Sequence, residues 1–204
     1  MKFLGLISTL LFSISLLMAQ NLKPYILGLE SNESITILKD KLKSNFQDNG
    51  ISVVGQNQPA NDQTRWILVI TSSELQNAVK SVGGLTGFAV TLRVAVTMEE
   101  GTTKVSYTNP AYWGNTYFRT AYDQVTSHYQ SFSSHLKQAL EACGPYIGTE
   151  FGSKKGLSPE DLRKYHYMMG MPYFDDTELL GTFNSYQDAI NNVEASLSQG
   201  VPGV

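Results

Sequence analysis

At 204 residues the chain can bury one good-sized core, or a full domain with part of a second. Its 15 Lys and Arg residues face 18 Asp and Glu, a formal charge of −3, and only Lys154-Lys155 and Arg163-Lys164 bring basic residues together. That leaves no electrostatic footprint for nucleic acid, and a lone cysteine, Cys143, excludes an intrachain disulfide framework, so packing must hold the fold.

The first 20 residues offer Lys2, an apolar run broken only by Gly5 and small hydroxyl residues, then Ala19 as a small residue for a peptidase. That order reads as a secretory signal peptide over residues 1–19. The run is short for a hydrocarbon core of about 30 Å, which takes about 20 apolar residues to cross. No cysteine stands at the cleavage region to carry a lipid. The protein is therefore expected to be exported from a bacterial cell, to the periplasm or beyond, with no transmembrane span after cleavage.

Residues 24–29 read as a first strand, and Ser31-Asn32-Glu33-Ser34 supplies cap chemistry for a helix with Ile35, Leu38, Leu42 and Phe46 on one face. Asp48-Asn49-Gly50 stops it, with Gly50 suited to a left-handed position. Strands follow at 51–54 and 65–71, separated by a polar loop. A short helix from Ser72 ends at Gly83-Gly84, and residues 88–97 and 104–108 form a hairpin about the turn at 99–102. The longest helix covers about 120–142, where Tyr122, Val125, Tyr129, Phe132, Leu136, Leu140 and Cys143 draw one apolar stripe. Gly144-Pro145 ends it, and residues 148–156 look like a boundary. Ser158-Pro159-Glu160-Asp161 is a strong helix start.

The tail echoes the beginning: Ser185, Ala189, Val193 and Leu197 repeat the spacing of Ser34, Leu38, Leu42 and Phe46. Two ordinary amphipathic helices would share that pattern too. The expected organisation is an α+β domain over residues 22–145, a linker over 146–157, and a partial second strand–helix module over 158–204. The expected fold class is α+β, an antiparallel-rich sheet packed against amphipathic helices with a short C-terminal strand–helix extension.

Over residues 26–112 several strings resemble the domain of unknown function 302 family. They are the helix at 35–46 running into Asn49-Gly50-Ile51-Ser52-Val53, the strands Trp66-Ile67-Leu68-Val69-Ile70 and Leu92-Arg93-Val94-Ala95-Val96, and the closing Val105-Ser106-Tyr107-Thr108-Asn109-Pro110-Ala111-Tyr112. The resemblance implies a compact α+β domain, often a homodimer, with no established activity and no catalytic residues to carry over. It departs at residues 72–84, which read as a longer and more polar helix.

Two stretches could carry chemistry. In residues 165–176, YHYMMGMPYFDD, strand alternation would put His166 and Met168 on one face and Tyr167, Met169 and Met171 on the other. A copper(I) site needs its thioethers and imidazole to converge, which would take a kink between Gly170 and Pro172. The same residues also read as core-filling methionines and Asp175 or Asp176 as a helix cap. In residues 109–118, Asn-Pro and Gly-Asn signal turns, so Tyr112, Trp113, Tyr117 and Phe118 read as an aromatic loop after a strand. Such a loop can stack a planar ligand or a sugar, with Asn109 and Asn115 giving hydrogen bonds; it can equally cover the sheet end and anchor the long helix. The candidate ligand residues are Asn109, Tyr112, Trp113, Asn115 and Tyr117.

The remaining features carry less. His128 and His135 are seven apart, about 10.5 Å along a helix, too far for one metal ion. Cys143 lies on the apolar stripe as a small buried residue. Gly83-Gly84-Leu85-Thr86-Gly87 lacks the Lys-Ser/Thr of a phosphate loop, and hydrolase signatures are absent. The expected function is a non-enzymatic binding or interaction module of the bacterial cell envelope. Its partner would be a small molecule or an envelope protein, and no cofactor is called for. The alternatives are an enzyme using His166 with Asp175 or Asp176, and a soft-metal protein binding copper.

Overall fold

The computed structural model describes residues 21–166, 168–171 and 176–199, so the signal-peptide reading of residues 1–19 and the cap reading of Asp175 lie outside it. The chain divides into two units, Met1–Tyr165 and His166–Val204.

In the first unit, β1 (Tyr25–Ser31), β2 (Ile51–Asn57), β3 (Arg65–Ser72), β4 (Leu92–Glu99), β5 (Thr102–Thr108) and β6 (Thr149–Phe151) form one antiparallel sheet in the order β2-β3-β4-β5-β1-β6. Its helices are α1 (Ile35–Asp48), α2 (Ser73–Val82), α3 (Pro110–Phe118), α4 (Tyr122–Glu141) and the short α5 (Pro159–Arg163). The fold is α+β, as the residue pattern predicts.

Alternation along the strands decides which side is buried. Leu68, Ile70, Leu92, Val94, Val96 and Val105 turn to one face, where they meet Leu38, Leu42 and Phe46 of α1 and Val125, Tyr129, Phe132, Leu136 and Leu140 of α4. Each such side chain contributes about 1.5–3 kcal/mol by leaving water. The other face carries Leu27, Ile67, Val69, Arg93, Ala95, Thr97, Lys104 and Ser106, none of them fully buried. Even Lys39 is drawn in on the packed side, its ammonium 3.9 Å from the centroid of the Trp66 ring.

Local chemistry agrees with the predicted ends. Ser34 and Ser72 accept hydrogen bonds from Ile37 and Leu75 N–H as N-caps of α1 and α2. The β4–β5 hairpin turns through Glu100 and Gly101, both at positive φ (50° and 82°), the hand a two-residue hairpin requires.

Three expectations are corrected. Residues 88–91 do not begin β4: Gly83 and Gly84 take positive φ, a 3-10 turn runs from Gly84 to Ala89, and the Thr86 hydroxyl donates to Gly83 O at 2.7 Å. Residues 146–157, expected as a linker, carry β6, because Thr149–Phe151 finds the free edge of β1. Residues 110–118 are the helix α3, not a loop. Asn109 caps α3 and Pro110 opens it, so the Asn-Pro pair that reads as a turn is a helix start. Gly114 in mid-helix lets α3 press against α4, since a Cβ there would fall 2.2 Å from Tyr122 Cε2.

The second unit holds α6 (Tyr186–Ser198), capped by Ser185, with no buried residue. The expected strand near residue 166 is absent among the described residues. Instead Met171 N–H donates to Met168 O, Gly170 sits at φ 86°, and His166 Nε2 lies 2.7 Å from Met171 O.

Candidate functional site

The five residues picked from the sequence separate by role. Asn109 is buried: its Oδ1 accepts from Ala111 and Tyr112 N–H, and its Nδ2 donates to Lys23 O at 3.0 Å. Asn115 is equally buried. Its Nδ2 donates to Ala111 O and its Oδ1 accepts from Arg163 Nε at 2.8 Å. Both amides are engaged by the chain itself, one fixing the start of α3 and the other fastening α5 to it. Tyr112 is partly buried, and burial raises its phenol pKa, with smaller contributions from Tyr165 and Tyr25.

Trp113 and Tyr117, one helical turn apart, share a face of α3. Their ring centroids are 4.8 Å apart at 58°, and Phe88 lies 6.3 Å beyond Tyr117. Phe88 is 67 % exposed, a large apolar ring held in water by the 3-10 turn. Burial lifts the Tyr117 pKa against the pull of nearby Arg93. The indole N–H of Trp113 is buried and finds no acceptor among the described residues.

These rings stand at the edge of the open sheet face and border two adjoining hollows. One, of about 340 Å³, runs over Ile67, Ala95, Ser106 and Thr108 between Trp113 and the Tyr25–Phe151 ring pair. The other, of about 290 Å³, lies among Gly87, Phe88, Thr91, Trp113 and Tyr117. Arg93, Thr108 and Trp113 line both. A larger depression, about 630 Å³, follows strand β2 beside α1, but it is wide open and has no aromatic lining. The hollow over Ile67 has the better chemistry, mostly apolar walls with a few convergent polar groups, and the one beside Phe88 adds a mixed polar and apolar lining.

Arg93, Phe88, Thr108 and the Tyr25–Phe151 pair were missed by sequence reasoning. Arg93 left one trace, as the charged interruption of an otherwise apolar strand. That it sits beside Trp113 depends on where α3 packs at the end of β5, a tertiary placement that no local pattern specifies.

The other candidates have ordinary surroundings. Cys143 is buried, accepts from Asn45 Nδ2 and donates to Ala139 O; burial pushes its thiol pKa up, away from reactivity. His135 Nδ1 lies 3.1 Å from Glu74 Oε1, joining α4 to α2. Among the described residues no three His, Cys, Asp or Glu side chains gather to hold a metal. Met168, Met169 and Met171 are exposed. Asp175 lies outside the described residues, and Asp176 within them.

No protein-family model matches the chain, and no curated protein matches it. Among solved structures it is similar to an uncharacterized conserved protein, DUF302, from Bacillus stearothermophilus. The two share 16% identity with a TM-score of 0.49, over 58% of this chain and 97% of that one. The chain resembles that family over part of its length.

Among the described residues no helix is long and apolar enough to cross a membrane.

Proposed function

We propose that the protein is an exported, non-enzymatic binding module of the bacterial cell envelope, with its ligand seated against Trp113 and Tyr117. The observation that carries the reading is the pairing of these rings over hollows they share with Arg93 and Thr108. A binder is favoured over a catalyst because, among the described residues, no carboxylate, imidazole or thiol lines either hollow, which leaves the hydroxyls there without a general base from that set. Export rests on the signal-like order of residues 1–20.

Two measurements test the parts separately. For binding, the two indole N–H resonances, from Trp66 and Trp113, are followed by NMR during titration with 2-naphthylmethanol. The Trp113 signal should move while that of Trp66, stacked under Lys39, stays; Trp113→Ala should keep its far-UV spectrum and abolish saturable binding. A probe that moves neither signal, or a Trp113→Ala chain that unfolds, would remove the site. For export, the mature protein should be recovered outside the cytoplasm with Gln20 at its N-terminus. Retention in the cytoplasm with residues 1–19 attached would remove the envelope assignment.

A further inference from the structure

Charge on the open sheet face is distributed unevenly. Arg65 pairs with Asp62 at 3.3 Å, and Lys104 with Glu99 and Glu30 at 3.2 and 3.7 Å. Arg93 lies opposite Val69 on the same face, exposed, and its guanidinium makes no ion pair or hydrogen bond with any described residue. Among the described residues the two hollows it borders have no acidic lining residue, although the chain as a whole is acidic. Beside it stand the Ser106 hydroxyl and the buried indole N–H of Trp113, which lacks an acceptor among the described residues; the Thr108 hydroxyl already donates to Arg93 O at 3.5 Å.

An unpaired guanidinium at the rim of an apolar hollow is a matched receptor for a carboxylate, which it can hold by two parallel hydrogen bonds. The remaining walls, Ile67, Ala95, Trp113, Tyr25 and Phe151, suit a flat or branched apolar body. A phosphate ester, with nearly two charges, calls for a second cation, and among the described residues Arg93 is the only cationic one lining either hollow. Resting on the binding reading above, we propose that the ligand class is a small aromatic or branched-apolar monocarboxylate, its acid group on Arg93 and its body between Trp113 and the Tyr25–Phe151 pair.

The test compares 2-naphthoate with 2-naphthylmethanol, which share a ring system and differ in charge, on the mature protein and on Arg93→Met, at pH 7 and low salt. Wild-type protein should bind the carboxylate about tenfold more tightly, the increment of one charge-assisted hydrogen-bonded pair. In Arg93→Met that preference should shrink to roughly twofold or less, while Arg93→Lys keeps part of it by retaining the charge without the fork. Equal affinity for the two probes in wild-type protein overturns the carboxylate assignment and leaves the aromatic site standing. A preference that survives in Arg93→Met overturns the role of Arg93. Binding of neither probe removes the aromatic site together with the ligand class.

Discussion

Tyr129→Ala is expected to lower the unfolding free energy by about 3–5 kcal/mol, the range for truncating a fully buried aromatic ring. Tyr129 is 1 % exposed and sits where α4, α3 and the turn before β4 meet. Its ring packs edge-on against Phe118 and Tyr122, with centroids 5.6 and 5.5 Å away. Its hydroxyl donates to Ala89 O at 3.1 Å. Tyr129→Phe separates the two contributions. It keeps the ring but leaves a buried carbonyl without its donor, a loss of about 1–3 kcal/mol. Urea denaturation of the three proteins, with slopes unchanged and midpoints shifted, gives both values. A Tyr129→Phe midpoint equal to wild type would show that the hydroxyl adds nothing to the turn's anchorage.

Stability should also fall steeply above pH 10. Tyr107, Tyr122 and Tyr129 are all buried, and burial is the main reason each phenol resists ionisation; Tyr107 also shares a 2.6 Å hydrogen bond with the Tyr146 hydroxyl. The Tyr122 pKa is pushed up to about 12, and those of Tyr107 and Tyr129 rise further. In the unfolded chain the same phenols ionise near 10. Below that pH both states are neutral and these groups impose no pH dependence. Above it only the unfolded chain releases the protons, so unfolding becomes easier as pH rises, with the Tyr122 contribution levelling off near 12. In the unfolded chain each phenol is only half ionised at pH 10, so each contributes roughly 1 kcal/mol between pH 10 and 11, and the three together remove about 3 kcal/mol over that unit. Absorbance at 295 nm should show part of the 11 tyrosines ionising near pH 10 and the remainder only as the protein unfolds. All of them titrating in one step, with the fold intact, would contradict this. Tyr122→Phe should reduce the slope by about a third.

Which parts of this molecule were legible in its residues follows from range. The α4 helix emerges from an apolar stripe that repeats within one element, and α1 from the same spacing bracketed by Ser34 and Gly50. The β4–β5 hairpin needs only alternation and a two-residue turn. What depended on distant partners stayed hidden. Three residues at 149–151 become a strand because β1, over a hundred positions earlier, has an edge to offer. The α3 helix was masked by its own signals, since Asn-Pro begins turns as readily as helices and Gly114 is explained only by the Tyr122 ring it admits. The candidate site divides in the same way. Trp113 and Tyr117 were visible as an aromatic cluster, whereas Arg93 joins them only once α3 packs at the end of the sheet.

The hydrogen bonds of Arg163 bear on how the gene is best cut. Its Nε holds Asn115 of α3, its two terminal nitrogens clasp Asp123 of α4, and its guanidinium carbon lies 5.7 Å from the Tyr122 ring centroid. The neighbouring Leu162 has no exposed surface. A recombinant fragment stopped at Gly144-Pro145, where the long helix ends, would lack β6, α5 and this three-way fastening, and so would loosen the helix that presents Trp113. A fragment that keeps the fastening stops at Tyr165, where the first unit ends.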